Sequence, residues 1–464
     1  MSTPPVPAPR LRDHLAVAGV FVQVVASALA AVLWTLLDAL RTPWLRRRLR
    51  SRLQEASLPP EPPAHLDPGA WAGRTVFVLA GETSGDRLAA PVVRALRRLA
   101  PGVRVRGYAG PACAAEGLAL DADLTSQAVV GVLPVLRTLP TWWGVCARFH
   151  ALLRHEPPDL LVTVDFPGLN VRLARMARRR GIRCVHVVAP AVWAYAPWRA
   201  ARWRRAVDEV LALYPHEPAL LEAMGLPARY TGHPLFEAPL PAPRTPPAWP
   251  DAGPRVVELL PGSRRSELAR HVPLMVEAAA QVAEGRDDLA FVMRLAEPRH
   301  LALAEQALAT ARRRPARLSL QVGQGSLPGP LVAALASSGT VTAELGAALV
   351  PMAVVYAVSW PARLGASLLL VAPWFSLVNL VAGRTLARER LVVGRGVPDR
   401  VARDLRALVA DGAAWAAARH ALEAVRERLE RPQVAERTAR ALLASPPPAR
   451  ARPVALSAGG PGPR

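Results

Sequence analysis

A few short stretches of the chain gather the residue types that group-transfer chemistry needs. Gly81-Glu82-Thr83-Ser84-Gly85-Asp86 lies between a β-rich run and a helical one. Its glycines let the backbone turn sharply while the N–H groups of the helix start face outward. Ser84 and Asp86 serve equally well as caps of that helix. Leu260-Pro261-Gly262-Ser263-Arg264 repeats the arrangement, and its arginine can set a fixed charge beside a diphosphate. Ser338-Gly339-Thr340 with Glu344 places small donors at a helix start and a carboxylate one turn in. That carboxylate can accept from ribose hydroxyls or simply favour the positive end of the helix dipole. Asp165 ends a further apolar run, and His233 stands in Gly232-His233-Pro234 as a cleft residue or a structural one.

The elements that must hold these residues read as two series of alternating strands and helices. In the first, Thr75–Ala80, Val103–Gly107, Asp159–Val164, Arg183–Val188 and Val207–Leu213 are strand-like, with helices over Arg87–Leu99 and up to Arg180. Continuous apolar strands separated by helices imply a parallel sheet covered on both faces. Proline-dense residues 239–254 mark a boundary. A second series follows: strand 255–260, helix 267–284, strand 289–295, helix 299–313, strand 318–322 and strand 332–336. The expected fold is therefore α/β, with two Rossmann-like domains over 74–238 and 255–410 and a cleft between them. Residues 59–73 read as a linker, 411–444 as helices packing back on the body, and 445–464 as a disordered tail.

Net charge +22 invites a nucleic-acid reading, yet every basic residue is arginine and no zinc spacing or recognition helix accompanies the charge. Nucleic acid is therefore not an expected partner. Arginines 41, 46, 47, 48, 50 and 52 do cluster, and anionic lipid headgroups suit such a cluster at about 1 kcal/mol per charge. Before them, Leu15–Leu37 is almost wholly apolar and long enough to cross a bilayer. With arginines dense on its C-terminal side, residues 1–58 read as an inner-membrane anchor that leaves the body in the cytoplasm. A cleaved signal peptide and a helix lying in the interface are the rival readings. Val350–Val381 is also strongly apolar, but prolines at 351, 361 and 373 argue against a second span. It reads as partly core and partly a surface for membrane or acyl chains. Cys113, Cys146 and Cys184 have no CxxC spacing, so neither a metal nor a disulfide framework is expected.

Taken in order, the motifs resemble those of the lipid-A-disaccharide synthases. The resemblance opens on Ala80–Asp86 and continues through Ala109-Gly110-Pro111, Val130-Gly131, Pro158 to Asn170, His186, and Val192-Trp193-Ala194. Gly232-His233-Pro234, Leu260–Arg264, Ser338–Thr340 with Glu344, Ser376-Leu377 with Asn379, and Ala382-Gly383-Arg384 complete it. It implies a GT-B type, inverting, metal-independent glycosyltransferase without a cofactor. The implied substrates are a UDP-linked diacylglucosamine and a diacylglucosamine 1-phosphate, joined as a β-1,6 disaccharide with UDP leaving. Asp165 matches the position proposed as base, with Glu82 as its catalytic companion; a mere loop acceptor is the bland alternative for Asp165. Gly81, Ser84, Gly85, Asp86, Asn170, His233, Gly262, Ser263, Arg264, Ser338, Gly339, Thr340, Glu344, Asn379 and Arg384 become the implied substrate and UDP contacts. A homo-oligomer is left open.

The pattern also departs from the family. Ala189 and Ala191 stand where serines flank the motif proline, Tyr195 replaces a tryptophan, Gly168 a second acid, and Val392 a glutamine. Such losses leave room for a weakly active relative that binds acylated sugars or partner proteins at the membrane.

Overall fold

Thr75–Ala80 is a run of small and branched apolar residues, and every one of them is buried. That is the signature of a central strand with helices on both faces. In the computed structural model, two such sheets form. The structure describes residues 9, 11, 14, 17–18, 41–55, 66–125, 132–240, 254–323, 325–393, 398–410 and 412–445. Most of the expected anchor, Val130-Gly131 and the expected tail beyond residue 445 lie outside the described residues.

In chain order, helix α1 covers 41–55, followed by β1 (Thr75–Ala80), α2 (Thr83–Leu99), β2 (Arg104–Ala109), α3 (Pro111–Ala115), β3 (Ala119–Asp123) and α4 (Val132–His155). The first half continues with β4 (Leu160–Val164), α5 (Pro167–Arg178), β5 (Arg183–Val187), α6 (Ala200–Arg204), β6 (Glu209–Ala212), α7 (Glu217–Glu222) and β7 (Ala228–Tyr230). The second half opens with β8 (Arg255–Leu260), α8 (Arg265–Ala283), β9 (Leu289–Leu295), α9 (His300–Leu308), β10 (Leu318–Val322) and β11 (Leu331–Ser337). It ends with α10 (Thr340–Ala347), β12 (Met352–Val358), α11 (Trp360–Leu369), α12 (Leu377–Ala382), β13 (Arg388–Val393), α13 (Pro398–Val409), α14 (Gly412–Leu429) and α15 (Val434–Leu443).

All strand pairs in both sheets are parallel, in the orders β3-β2-β1-β4-β5-β6-β7 and β10-β9-β8-β11-β12-β13. In each sheet the winding direction reverses once, between β1 and β4 and between β8 and β11. Loops leaving neighbouring strands at such a reversal part in opposite directions and open a crevice at the carboxyl ends. Register brings the exits level: Ala80 pairs with Val164, and Ala336 with Leu260. The Gly81 turn and Asp165 thus leave one switch point, the Gly262 turn and Ser338 the other.

Two chain crossings join the halves side by side. Arg431 N–H donates to Phe236 O and Ala238 N–H to Arg431 O, while Leu240 N–H reaches the Glu430 carboxylate. After the second crossing, α15 packs on α2 and buries Ala439, Ala441, Leu442 and Leu443 in the first half's core.

Several sequence expectations need correction. Trp71 is buried and its indole N–H donates to Leu443 O at 3.0 Å, so the body begins before Arg74, inside the expected linker. The helix expected over 299–313 stops at Leu308, ahead of three consecutive arginines and Pro315, which cannot continue it. Val350–Val381 is mostly core: β12 is buried, and Val371, Ala372, Trp374 and Leu380 cross into the first half's core. Among the described large apolar residues there, Trp360 and Leu364 are widely exposed, so the segment is part core and part surface. Among the described residues no helix is long and apolar enough to cross a membrane.

Candidate active site

The first switch point is built around a bent backbone. Asp165 (φ 51°) and Phe166 (φ 45°) are both left-handed, uncommon for any non-glycine residue and costly for a bulky one. Three contacts hold the bend. Asp165 N–H donates to Val187 O at 3.0 Å. The amide of Asn170 donates to Val164 O and Asp165 O at 3.2 and 2.8 Å. The Phe166 ring lies against Trp142, centroids 5.5 Å apart, directly beneath Gly81. A Cβ on Gly81 would meet that ring at 2.5 Å, so only glycine lets the two turns approach. Backbone strain maintained by such over-determined packing marks a site where a side chain is being aimed. The aimed group is the Asp165 carboxylate, which accepts from Ser84 Oγ at 3.3 Å.

Glu82 is its neighbour. Burial, then the charge of Asp165, holds the Glu82 carboxyl above the usual range. A carboxyl raised in the folded state makes a stability contribution that is present at acid pH and lost as pH rises through that raised value. Glu82→Gln is therefore expected to raise Tm near pH 8 and to leave it nearly unchanged near pH 4. Equal Tm values for the variant and wild type at the higher pH would remove the proposed repulsion.

Two residues expected to touch substrate are committed elsewhere. Asp86 is buried and accepts from the backbone N–H groups of Gly110, Ala112 and Cys113 at 2.9, 2.9 and 3.1 Å. It caps α3 and leaves no free oxygen for a ligand. Asn170, also buried, positions the turn from behind. Gly85 is packed in the first turn of α2.

At the second switch point, Gly262 (φ 101°) lets Glu267 curl back beneath the turn; a Cβ there would stand 2.4 Å from the Glu267 carboxylate. That carboxylate accepts from the N–H groups of Ser263 and Arg264 at 3.2 and 3.3 Å, and from the Arg264 guanidinium at 2.8 Å. Those two backbone donors are thus already occupied, whereas the Arg264 side chain remains 77% exposed. Ser338 donates to Phe375 O at 2.6 Å, and Gly339 is simply extended. Thr340 donates to Glu344, whose carboxyl is raised by loss of water, partly offset by that hydroxyl. Asn379 is fully buried: its amide holds Ala387 O and Glu389, and its oxygen accepts from Leu386 and Ala387 N–H. It braces the α12–β13 turn. Arg384 is exposed beside it.

The halves meet where Tyr214, after β6, feels the charge of Glu344 from α10. His233 stacks near Tyr214 at 5.4 Å and near Phe236 at 5.6 Å. Its Nδ1 accepts from Leu235 N–H at 3.1 Å, and burial pushes its pKa down to about 4. At neutral pH it is an uncharged imidazole with Nε2–H as its remaining donor. The first switch point thus carries two carboxylates, and the second a guanidinium, a hydroxyl and a carboxylate.

Sequence reasoning passed over Glu267, His271 and Glu389. His271 is buried, with Nδ1 on Pro261 O at 2.7 Å and Nε2 accepting from Ala357 N–H at 2.8 Å. It ties the Gly262 turn to β12. Glu267 alone had a signal, a glutamate at the third helical position, which is where a capping side chain reaches back.

Comparison with known proteins agrees with this geometry. A family profile described as lipid-A-disaccharide synthetase matches residues 76–444. The lipid-A-disaccharide synthase of Anaeromyxobacter dehalogenans is 35% identical, with 79% of this chain and 96% of that one covered. Those of Geobacter sulfurreducens and Azotobacter vinelandii are 32% and 36% identical, covering 79% and 71% of this chain and 96% and 88% of theirs. Matches of this length span both sheets and both switch points, and the chain belongs to the lipid-A-disaccharide synthetase family of glycosyltransferases.

Proposed function

We propose that the chain transfers 2,3-diacylglucosamine from UDP to the hydroxyl of 2,3-diacylglucosamine 1-phosphate, giving the β-1,6 disaccharide of lipid A biosynthesis and UDP. The observation that carries this reading is the strained turn that aims Asp165 from the first switch point, beside Glu82. In the step proposed, Asp165 takes the acceptor's hydroxyl proton as its oxygen attacks the anomeric carbon. The bond from that carbon to the diphosphate oxygen breaks, passing through an oxocarbenium-like state with inversion. Charge grows on the leaving diphosphate, which Arg264 neutralises and the neutral His233 Nε2–H can bond. Glu344 suits the ribose hydroxyls.

A place for the acceptor's phosphate is offered by Arg172, Arg199 and Arg202. Burial and their mutual repulsion lower Arg172, and burial followed by Arg199 lowers Arg202. Among the described residues none of the three pairs with a carboxylate. An unneutralised cationic cluster attracts an anion. Arg202→Ala is expected to raise KM for the acceptor about tenfold, the value of one charge-assisted contact, without moving KM for the UDP-sugar. An equal rise in both would detach the cluster from the acceptor. We place the enzyme at the cytoplasmic face of the inner membrane, where acylated substrates reside, with the segment around 15–37 as its anchor.

The test incubates detergent-solubilised full-length protein with UDP-diacylglucosamine and labelled diacylglucosamine 1-phosphate. Disaccharide and stoichiometric UDP are expected. Folded protein that binds UDP yet forms no product would instead establish the diverged binder.

A further inference from the structure

Helix α1 precedes the region matched by the family profile, yet it is docked on the body, in the core that the first half shares with residues 371–380 of the second. Leu49 and Leu53 are buried in the core that also contains Leu380 and Trp374. Gly383 approaches so closely that a Cβ there would meet Leu53 O at 2.7 Å. The docking leaves a cavity of about 380 Å³ between α1, the end of α11 and β13. That is within the size range of small-molecule sites.

Its lining is chemically one-sided. Leu370, Pro373, Trp374, Phe375 and Leu391, with Ala366 and Ala372, make most of the wall. The one carboxylate in it, Glu389, is fully engaged by the N–H groups of Phe375 and Ser376, the Ser376 hydroxyl and the Asn379 amide. Thr385 is likewise held, accepting from the Trp374 indole at 2.9 Å. The cation of the lining is Arg46 of α1. One of its terminal nitrogens donates to Leu370 O, while its buried Nε has no partner. A cation that makes no ion pair among the described residues, beside an apolar wall, selects an amphiphile whose anionic group sits at one end.

The surroundings narrow the choice. Helix α1 carries six arginines against one glutamate, Glu55. Arg50 lies over the Trp374 ring at 5.2 Å, at the same pocket. Trp44 on α1 and Trp360 and Leu364 on α11 are 59%, 66% and 48% exposed. Exposed aromatic groups mixed with arginines suit the headgroup layer of an anionic bilayer. We propose that this pocket, completed by Arg46 of the N-terminal extension, binds the phosphate of an anionic phospholipid, with the first carbons of its chains against Leu370 and Trp374. It touches the second switch point through Phe375, whose carbonyl accepts from Ser338, and it does not require the transfer reaction proposed above.

The test uses full-length protein in neutral detergent, without UDP-sugar, titrated with monomeric dihexanoyl phosphatidylglycerol and followed by tryptophan fluorescence. Saturable binding is expected, weakened at least tenfold in Arg46→Gln and at least tenfold for dihexanoyl phosphatidylcholine. Ala366→Phe, which fills the cavity while leaving Arg46 in place, is expected to abolish binding as well. Both variants are first shown to keep wild-type Tm and UDP binding; one that does not is replaced by Arg46→Lys or Ser367→Leu. Equal affinity for the two lipids, unchanged binding in the folded variants, or no saturable binding would each overturn the proposal. Inorganic phosphate competing as strongly as the lipid would also overturn it, by reducing the pocket to a simple anion site. Transfer activity measured in parallel keeps the two readings apart, since either can fail alone.

Discussion

Asp165→Asn is expected to lower kcat by about 10²–10⁴-fold while leaving UDP affinity unchanged. Asparagine is the informative replacement because the position is left-handed (φ 51°), a conformation that Asn tolerates and Ala resists by about 1–2 kcal/mol. It also keeps the side chain's shape and an oxygen for the Ser84 hydroxyl. The bracing from Asn170 and Val187 reaches only main-chain atoms of residues 164 and 165, so it survives the change. What disappears is the capacity to take a proton. Single-turnover transfer, with UDP binding by calorimetry, separates chemistry from folding. Wild-type turnover by a folded Asp165→Asn protein would leave Asp165 as a loop acceptor and pass the base role to Glu82, the carboxyl that feels its charge.

The two sheets were legible because a parallel sheet covered on both faces needs unbroken apolar strands. The buried runs at Thr75, Leu160, Arg255 and Leu331 announce themselves in this way. Edge and irregular elements do not. Strand β3 reads Ala-Leu-Asp-Ala-Asp and is half exposed, β7 has three residues, and α4 contains Pro134, Pro140 and Gly144. At Val350–Val381 apolarity alone could not say which part is core and which is surface, since a segment crossing into another core has the composition of one facing lipid.

The site divides along a similar line. Residues whose placement depends on their own turn were readable: Gly81, Asp165, Gly262 and Arg264 lie where a strand hands over to a helix. Residues whose role depends on a distant partner were not. Nothing in spacing reveals that Asp86 meets the N–H groups of Gly110 to Cys113, or that Asn379 meets Glu389, because those meetings are made by tertiary packing. Both were read as substrate contacts, and both hold backbone instead. The departures at Gly168 and Val392 also acquire a physical setting. Gly168 is exposed with open space around it, whereas Val392 is buried in the second half's core, where an amide would lack partners.

The second large effect is expected at Arg264. Because Glu267 already occupies the N–H groups of Ser263 and Arg264, a diphosphate at this turn finds the exposed guanidinium as its available donor. A charge-assisted, forked contact of this kind is worth about 1.5–3 kcal/mol, or about 10–150-fold in affinity. Arg264→Ala should therefore weaken UDP by that factor and leave uridine, which has no phosphate, unaffected. Arg264→Lys should recover only part of the loss, since an ammonium keeps the charge and not the fork. The transfer rate should fall further than UDP affinity, because charge on the diphosphate is greatest as the bond to the sugar breaks. Titrating UDP and uridine against the three proteins checks the first part, and kcat checks the second. Equal loss of uridine and UDP would show instead that Arg264 supports the turn, through the Glu267 pair, and that the diphosphate is held by other groups.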